Sequence, residues 1–274
     1  MPRRAGEALL MRRLAHFLRA GSLTPAEVSS GVVEELKAAV AAIRNAKPQR
    51  IVVLTGAGVS ADSGIPTFRG EAGLWRNNRA EDLATAEAFA RNPLLVWEWY
   101  EWRRSIVRAA QPNAAHRAIA ALPDALVATQ NVDGLHQLAG SQDVIELHGN
   151  LFRVRCVRDD KRRDAREAFG ELPPKCECGA LLRPDVVWFG ETLPVGAFER
   201  AARAVRAADL LLVIGTSGVV FPAAGLVSFC QGLSIEINPQ LSAISSACAH
   251  AIPDTAAAAT PPVVEAILDA GTHR

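Results

Sequence analysis

The chain has 274 residues, 49% of them hydrophobic and 22% charged, with a formal net charge of +1. That supplies apolar material for one sizeable core, or for one large domain with a small appended module. The near-neutral balance leaves no electrostatic footprint for nucleic acid as the main ligand, and no apolar run is long enough to span a bilayer.

The opening stretch, MPRRAGEALLMRRLAHFLRA, is basic, and Arg12 and Arg13 interrupt its leucines, which makes it a poor secretory signal. Residues 1–32 read as an N-terminal extension. Five unevenly placed cysteines do not resemble a disulfide framework and point to a reducing, cytoplasmic setting. Helical periodicity begins around Val33 to Ile43 and stops at Lys47-Pro48. Ile51 to Leu54 is a short β-branched run of the kind found in a fully buried parallel strand. It runs directly into Gly56-Ala57-Gly58-Val59-Ser60-Ala61, which fits G-x-G-x-x-[G/A]. Glycines there let backbone N–H groups approach a pyrophosphate at a helix N-terminus.

A hydride-transferring dehydrogenase would next show a strand ending in an acidic residue. Instead the chain reads Ser63-Gly64-Ile65-Pro66-Thr67-Phe68-Arg69-Gly70, a loop, followed by helices rich in Trp, Ala and Arg. On one of these, Tyr100 and Arg103 stand at i and i+3 and share a face. A phenol beside a guanidinium in an apolar pocket suits a carboxylate, with Arg giving a two-pronged contact and Tyr a second donor.

A helix is expected over Pro112 to Leu122 and a strand over Ala125 to Thr129. Gln130, Asn131 and Asp133 follow that strand, where ligands are read in α/β folds. His148 follows the next strand, Val144 to Leu147, placed for a general base. His116 and His136 read as structural, and Cys230 and Cys248 as core or surface residues. A helix over Phe198 to Ala208, a strand over Leu210 to Gly215, a helix over Pro222 to Cys230 and a strand over Ile235 to Ile237 complete the alternation. The pattern predicts an α/β fold, a Rossmann-type doubly wound parallel sheet. Inserts at about 65–110 and 151–190 would build a smaller module, helical and cysteine-containing. The sheet would come from about 33–64, 111–150 and 191–274.

The segments GAGVSADSGIPTFRG, TQNVDGLH, ELHGN, LRPDVVWFGE, GTSGVVFPAA and EINP resemble, in order and spacing, those of the sirtuins, the NAD-dependent protein deacylases. The resemblance covers roughly residues 35 to 270. It implies that Gly56, Ala57 and Gly58 cradle the pyrophosphate of NAD, and that Phe68 and Arg69 cover the nicotinamide ribose. Gln130, Asn131 and Asp133 would line the nicotinamide pocket, while Gly215, Thr216, Ser217 and Asn238 would bind the adenosine half. In the family's reaction the substrate amide oxygen attacks the ribose and nicotinamide leaves. His148, with Asn131 beside it, would serve the following step by deprotonating a ribose hydroxyl, and O-acyl-ADP-ribose and free lysine result. An acyl-lysine protein would add as a strand between two edges, Val187 to Gly190 (with Phe189) and Gly218 to Val220.

Tyr100-x-x-Arg103 resembles the branch that removes succinyl, malonyl and glutaryl groups, with deacetylation as a second activity. Thr67, Ala80 and Ala84 point the same way. The family's structural zinc implies four thiolates in two Cys-x-x-Cys pairs. Here Cys156, Cys176 and Cys178 remain, Asp159 stands in a thiolate's place, and Lys175 in another. Either these three thiolates and Asp159 hold zinc, or the module packs without metal around Phe152, Leu181 and Leu182. A monomer or weak dimer is expected, with no nucleic-acid or membrane partner. The competing readings are a mono-ADP-ribosyltransferase and a catalytically silent binder of NAD or O-acyl-ADP-ribose.

Overall fold

The structure, a computed structural model, describes residues 25–67 and 79–271. Its first helix, α1 (Pro25–Ala46), begins earlier than the periodicity suggests. Strand β1 (Ile51–Thr55) is buried along its whole length, and a 3₁₀ helix over Ala57–Ser63 follows it. Three helices come next, α2 (Ala80–Leu83), α3 (Ala86–Arg91) and α4 (Pro93–Ala109). The Asn92 side chain caps α4 by accepting from the Leu95 amide at 3.0 Å, with Pro93 in the first turn, where its missing N–H costs nothing.

Helix α5 (Ala114–Ala120), β2 (Leu126–Thr129), α6 (Leu135–Ala139) and β3 (Asp143–Glu146) continue the alternation. The chain then leaves the main sheet for β4 (Gly149–Cys156), β5 (Arg162–Asp164) and β6 (Leu182–Val186). It returns through α7 (Ala197–Ala207), β7 (Leu210–Ile214), β8 (Leu233–Ile237), β9 (His250–Ile252) and α8 (Ala256–Gly271). The helix expected over Pro222 to Cys230 is a 3₁₀ helix, Ala223–Phe229. A short run containing Gly225 sustains that tighter turn rather than a full i→i−4 ladder.

Six strands form one parallel sheet in the order β3-β2-β1-β7-β8-β9. Its two central strands are in register from Ile51↔Leu210 to Thr55↔Ile214. Being buried on both faces, they are continuous apolar runs rather than alternating ones. Along each strand alternate residues face opposite layers: Val53 and Leu212 pack under α1, α5 and α8, and Leu54 and Leu211 under α7 and the Ala223–Phe229 turn. Strand order reverses between β1 and β7, so a crevice opens beyond their carboxyl ends.

A three-stranded antiparallel sheet, β5-β4-β6, shares a third core with α2, α3 and α4. Trp97 is fully buried there and donates its indole N–H to the Leu182 carbonyl at 2.8 Å. Arg104 is buried too, its guanidinium paired with Glu101 at 2.9 Å and donating to the carbonyls of Leu151 at 2.6 Å and Glu167 at 2.7 Å. No helix among the described residues is long and apolar enough to cross a membrane.

Candidate functional site

The crevice between β1 and β7 is the floor of a cavity of about 920 Å³, at the large end for a small-molecule site. The Gly58 amide donates to the Gly215 carbonyl at 2.8 Å and the Gly56 amide to Ile214 at 3.0 Å. A Cβ on Gly56 would fall 2.8 Å from the Gly215 oxygen, and Gly215 itself holds φ +63°, so the two glycine turns pack backbone on backbone. Only residues without a side chain let main chain come this close; the Gly56, Gly58 and Gly215 amides are bonded within the protein, and the bareness of the turns lets a pyrophosphate approach the backbone. Ala57 also lines the cavity, as do Thr216, Ser217 and Asn238 from the ends of β7 and β8. Asn238 Nδ2 donates to the Thr216 carbonyl at 2.9 Å, and Gln130 Nε2 to Thr216 Oγ1 at 3.0 Å. These cross-links bind the ends of β2, β7 and β8 into one rigid rim.

Asn131 lines the cavity, whereas Asp133 lies buried beneath it. Ser60 Oγ donates to Asp133 Oδ2 at 2.8 Å and accepts from Asn131 Nδ2 at 3.1 Å. His116 Nδ1 accepts from the Asn113 amide at 3.3 Å, so the proton of the neutral ring is on Nε2, 3.4 Å from Ser60 Oγ. Burial raises the Asp133 carboxyl above the usual carboxylate range; the Leu135 amide, Ser60 and the Arg103 charge oppose that rise. Burial also holds His116 down to about 4, helped by the Arg117 charge, and His136 to about 3, helped by His116. His136 Nε2 lies 3.0 Å from Thr55 Oγ1. Both histidines, read above as structural, thus stand as neutral rings behind the Asn131–Asp133 loop.

His148 lies past the end of β3, with Nδ1 3.0 Å from the Gln130 carbonyl. A carbonyl only accepts, so Nδ1 carries the proton and Nε2 keeps a lone pair. Burial lowers the His148 pKa, favouring that neutral form.

The far wall of the cavity comes from α4 and the small module. Tyr100 and Arg103 are 4% and 6% exposed and both line it, so this face of α4 is a pocket wall and not a solvated stripe. Burial lowers the Arg103 pKa, with Tyr100 and Asp133 opposing that shift. Ala84 lines the cavity, while Ala80 is buried behind it. Val187, Phe189, Gly190 and Val220 stand at the mouth. The Phe189 amide donates to the Ala84 carbonyl at 2.9 Å and the Val187 amide to His148 at 2.9 Å. Phe68 and Arg69 lie outside the described residues.

Cys156, Cys176 and Cys178 place their sulfurs within 4.8 Å of one another, Cys156 and Cys178 at 3.5 Å. Thiolates around a tetrahedral zinc stand about 3.8 Å apart, from Zn–S bonds of about 2.3 Å, so three ligands of such a site fit. Asp159 is not among those three, but its carboxylate takes a hydrogen bond from the Cys156 thiol; it also accepts from the Lys161 amide at 3.1 Å and pairs with the Lys161 ammonium at 3.2 Å. Residues given no separate role in the sequence reading also converge here. Ser60 ties Asn131 to Asp133, and Arg183 grips Glu191 through two bonds of 2.6 and 2.9 Å beside Trp188. Ser60, Trp188 and Glu191 sat inside the recognised motifs, and only three-dimensional contact gives them partners.

The profile of the Sir2 family matches residues 56–222. An NAD-dependent protein deacylase of Aquifex aeolicus is 56% identical over 199 residues, 69% of this chain and 83% of that protein. A Sir2 homolog solved as an NAD complex superposes with a TM-score of 0.81 at 44% identity, covering 86% of this chain and 95% of that one. A Sir2–p53 peptide–NAD⁺ complex gives 0.73 at 32% identity, covering 81% and 95%.

Proposed function

This chain belongs to the Sir2 family, and from that premise we propose an NAD-dependent protein-lysine deacylase that prefers acyl groups ending in a carboxylate, succinyl and malonyl foremost. The observation that carries the acyl preference is the placement of Tyr100 and Arg103. Both are buried, share one face of α4, and line the same cavity as His148 and the glycine turns. A guanidinium on the pocket wall offers an acyl carboxylate a two-pronged, charge-assisted contact that an acetyl group cannot use.

The glycine turns at Gly56, Gly58 and Gly215 fit a pyrophosphate, and Gln130, Thr216, Ser217 and Asn238 form the rim along which the rest of NAD would lie. NAD supplies an electrophilic ribose carbon and the hydroxyls that receive the acyl group. His148 Nε2, left basic by the bond from Nδ1 to Gln130, takes a hydroxyl proton. Asn131 and Asp133, cross-linked through Ser60, hold the nicotinamide end of the cavity in one geometry. The edges at Val187–Gly190 and Val220 receive the acyl-lysine peptide as an added strand, a mode that recognises main chain and tolerates varied sequence.

The test is turnover of one lysine peptide carrying succinyl or acetyl, with and without NAD. NAD-dependent release of free lysine, faster from succinyl, is the expected result. Faster turnover of acetyl would defeat the carboxylate preference. Labelling of protein by NAD without lysine release would favour ADP-ribosyl transfer instead.

A further inference from the structure

Trp188 follows β6 and stands between Val187 and Phe189 of the proposed peptide edge, yet it is 2% exposed and packed into the third core. Its indole N–H donates to Tyr100 Oη at 2.8 Å. An indole nitrogen is a donor only, so the phenol oxygen must accept here and its own proton must point elsewhere. Among the described residues the Tyr100 hydroxyl makes no second hydrogen bond, and Tyr100 borders the cavity beside Arg103. The remaining direction for the phenol O–H is into the acyl pocket.

The indole is itself fixed. The Trp188 amide donates to Glu191 Oε2 at 2.9 Å, and the Arg183 guanidinium carbon lies 3.3 Å from the ring centroid. Arg183 in turn is held at both nitrogens by Glu191, and the Phe89 ring packs at 5.3 Å. Glu191, Arg183, Trp188 and Tyr100 therefore form one chain of contacts that ends at the pocket wall. A phenylalanine at 188 would fill much of the same space and could not donate.

The geometry points to Trp188 as a positioning residue for acyl selection: by occupying one acceptor site on Tyr100, it turns the phenol into a directed donor for the acyl carboxylate. This rests on the carboxylate preference proposed above. It adds a residue that borders the same cavity but spends its indole N–H on Tyr100, and so acts on the acyl carboxylate through Tyr100.

The experiment measures kcat and KM on succinyl- and acetyl-lysine forms of one peptide at saturating NAD. Four proteins are compared: the unmodified enzyme, Trp188→Phe, Tyr100→Phe and the double variant. With Trp188→Phe the succinyl-to-acetyl ratio of kcat/KM should fall about five- to tenfold, part of the worth of one hydrogen bond to a charged acceptor, because the phenol stays and loses only its orientation. The fall should come through the succinyl KM and leave the succinyl kcat nearly as it was. In the Tyr100→Phe background the same change should produce no further fall, since the donor it orients is gone. A parallel loss on both peptides, an unchanged ratio, or an additive loss in the double variant would overturn the assignment. Where Trp188→Phe fails to fold, benzothienylalanine at 188 keeps the indole shape without the N–H and gives the same comparison. An unmodified enzyme with no succinyl preference would defeat the carboxylate reading itself. A preference that is undiminished in Trp188→Phe would defeat only the role of Trp188.

Discussion

Replacing Arg103 by methionine removes the charge from the acyl pocket while keeping an unbranched apolar stem of similar reach. The guanidinium is 6% exposed and borders the cavity, so water screens it little. At an effective dielectric of about 20, a carboxylate about 4 Å away gains roughly 4 kcal/mol from that charge. Desolvating the carboxylate returns part of this, leaving about 2–3 kcal/mol, in line with hydrogen bonds to charged groups. Each 1.4 kcal/mol or so is tenfold, so kcat/KM for a succinyl-lysine peptide should fall about 30- to 150-fold in Arg103→Met. An acetyl group offers the guanidinium no carboxylate to pair with, so the acetyl reaction should fall far less than the succinyl one. Steady-state kinetics on the two peptides at matched NAD give the ratio directly. A succinyl-to-acetyl ratio that moves by less than about threefold would refute the reasoning, because truncating one partner of a buried, hydrogen-bonded charge pair costs about 2–5 kcal/mol.

Three further outcomes follow from the site. His148→Asn should lower turnover by about 10²- to 10⁴-fold, the usual worth of a general base; because burial lowers the His148 pKa, the acid limb of kcat/KM should lie below about 6.5, and a limb above that value would contradict the assignment. Gly215→Ala forces a side chain into φ +63° with its Cβ 2.8 Å from Gly58 Cα; strain of about 1–3 kcal/mol should lower Tm by several degrees in a thermal scan and raise the KM for NAD about tenfold or more. His116 and His136 are held to about 4 and about 3 in the folded protein, against about 6.5 unfolded, so the unfolded chain binds more protons in that window. Stability is then full above about 6.5 and declines as pH falls, by about 2 kcal/mol for each ring between pH about 6.5 and about 5. Denaturant titrations at the two pH values should show this dependence shrink in His136→Gln, and an unchanged slope would refute it.

The main sheet and the NAD-binding turns were legible because their constraints are local. Ile51–Thr55 is apolar at nearly every position because both faces are covered, and the turn after it needs glycine wherever Gly215 comes within contact distance. The pairing of Tyr100 and Arg103 on one cavity wall was legible for a similar reason, since they share a helix face by spacing alone. What the chain order hides are contacts between distant segments. Ser60 meets Asp133 across 73 positions and His116 across 56, and Trp188 meets Tyr100 across 88. None of these pairs has a periodicity or a turn signal to announce it. The three-residue β9 has too little pattern to mark it as a strand; it is stabilised by pairing with β8 from Ile235↔His250 to Ile237↔Ile252. Arg104 looks like a surface charge in the sequence and is buried because backbone carbonyls of Leu151 and Glu167 happen to face it.

The same long-range convergence explains why a ratio, and not a rate, is the right readout for Arg103. Arg103 and Asp133 stand on different elements, one on α4 and one beyond β2, yet each lies in the other's electrostatic field. Asp133 is buried, and the Arg103 charge is one of the few influences that keeps its carboxyl from rising further. Removing that charge therefore reaches past the acyl pocket. It makes ionised Asp133 costlier and, through Ser60, loosens the hydrogen bond that fixes Asn131 at the nicotinamide end. Such an effect falls on succinyl and acetyl peptides alike, because both reactions use the same NAD. It cancels in the ratio, and what remains is the direct contact between the guanidinium and the acyl carboxylate. A pocket whose selectivity and chemistry both feel the Arg103 charge cannot change its acyl preference without some cost in NAD recognition.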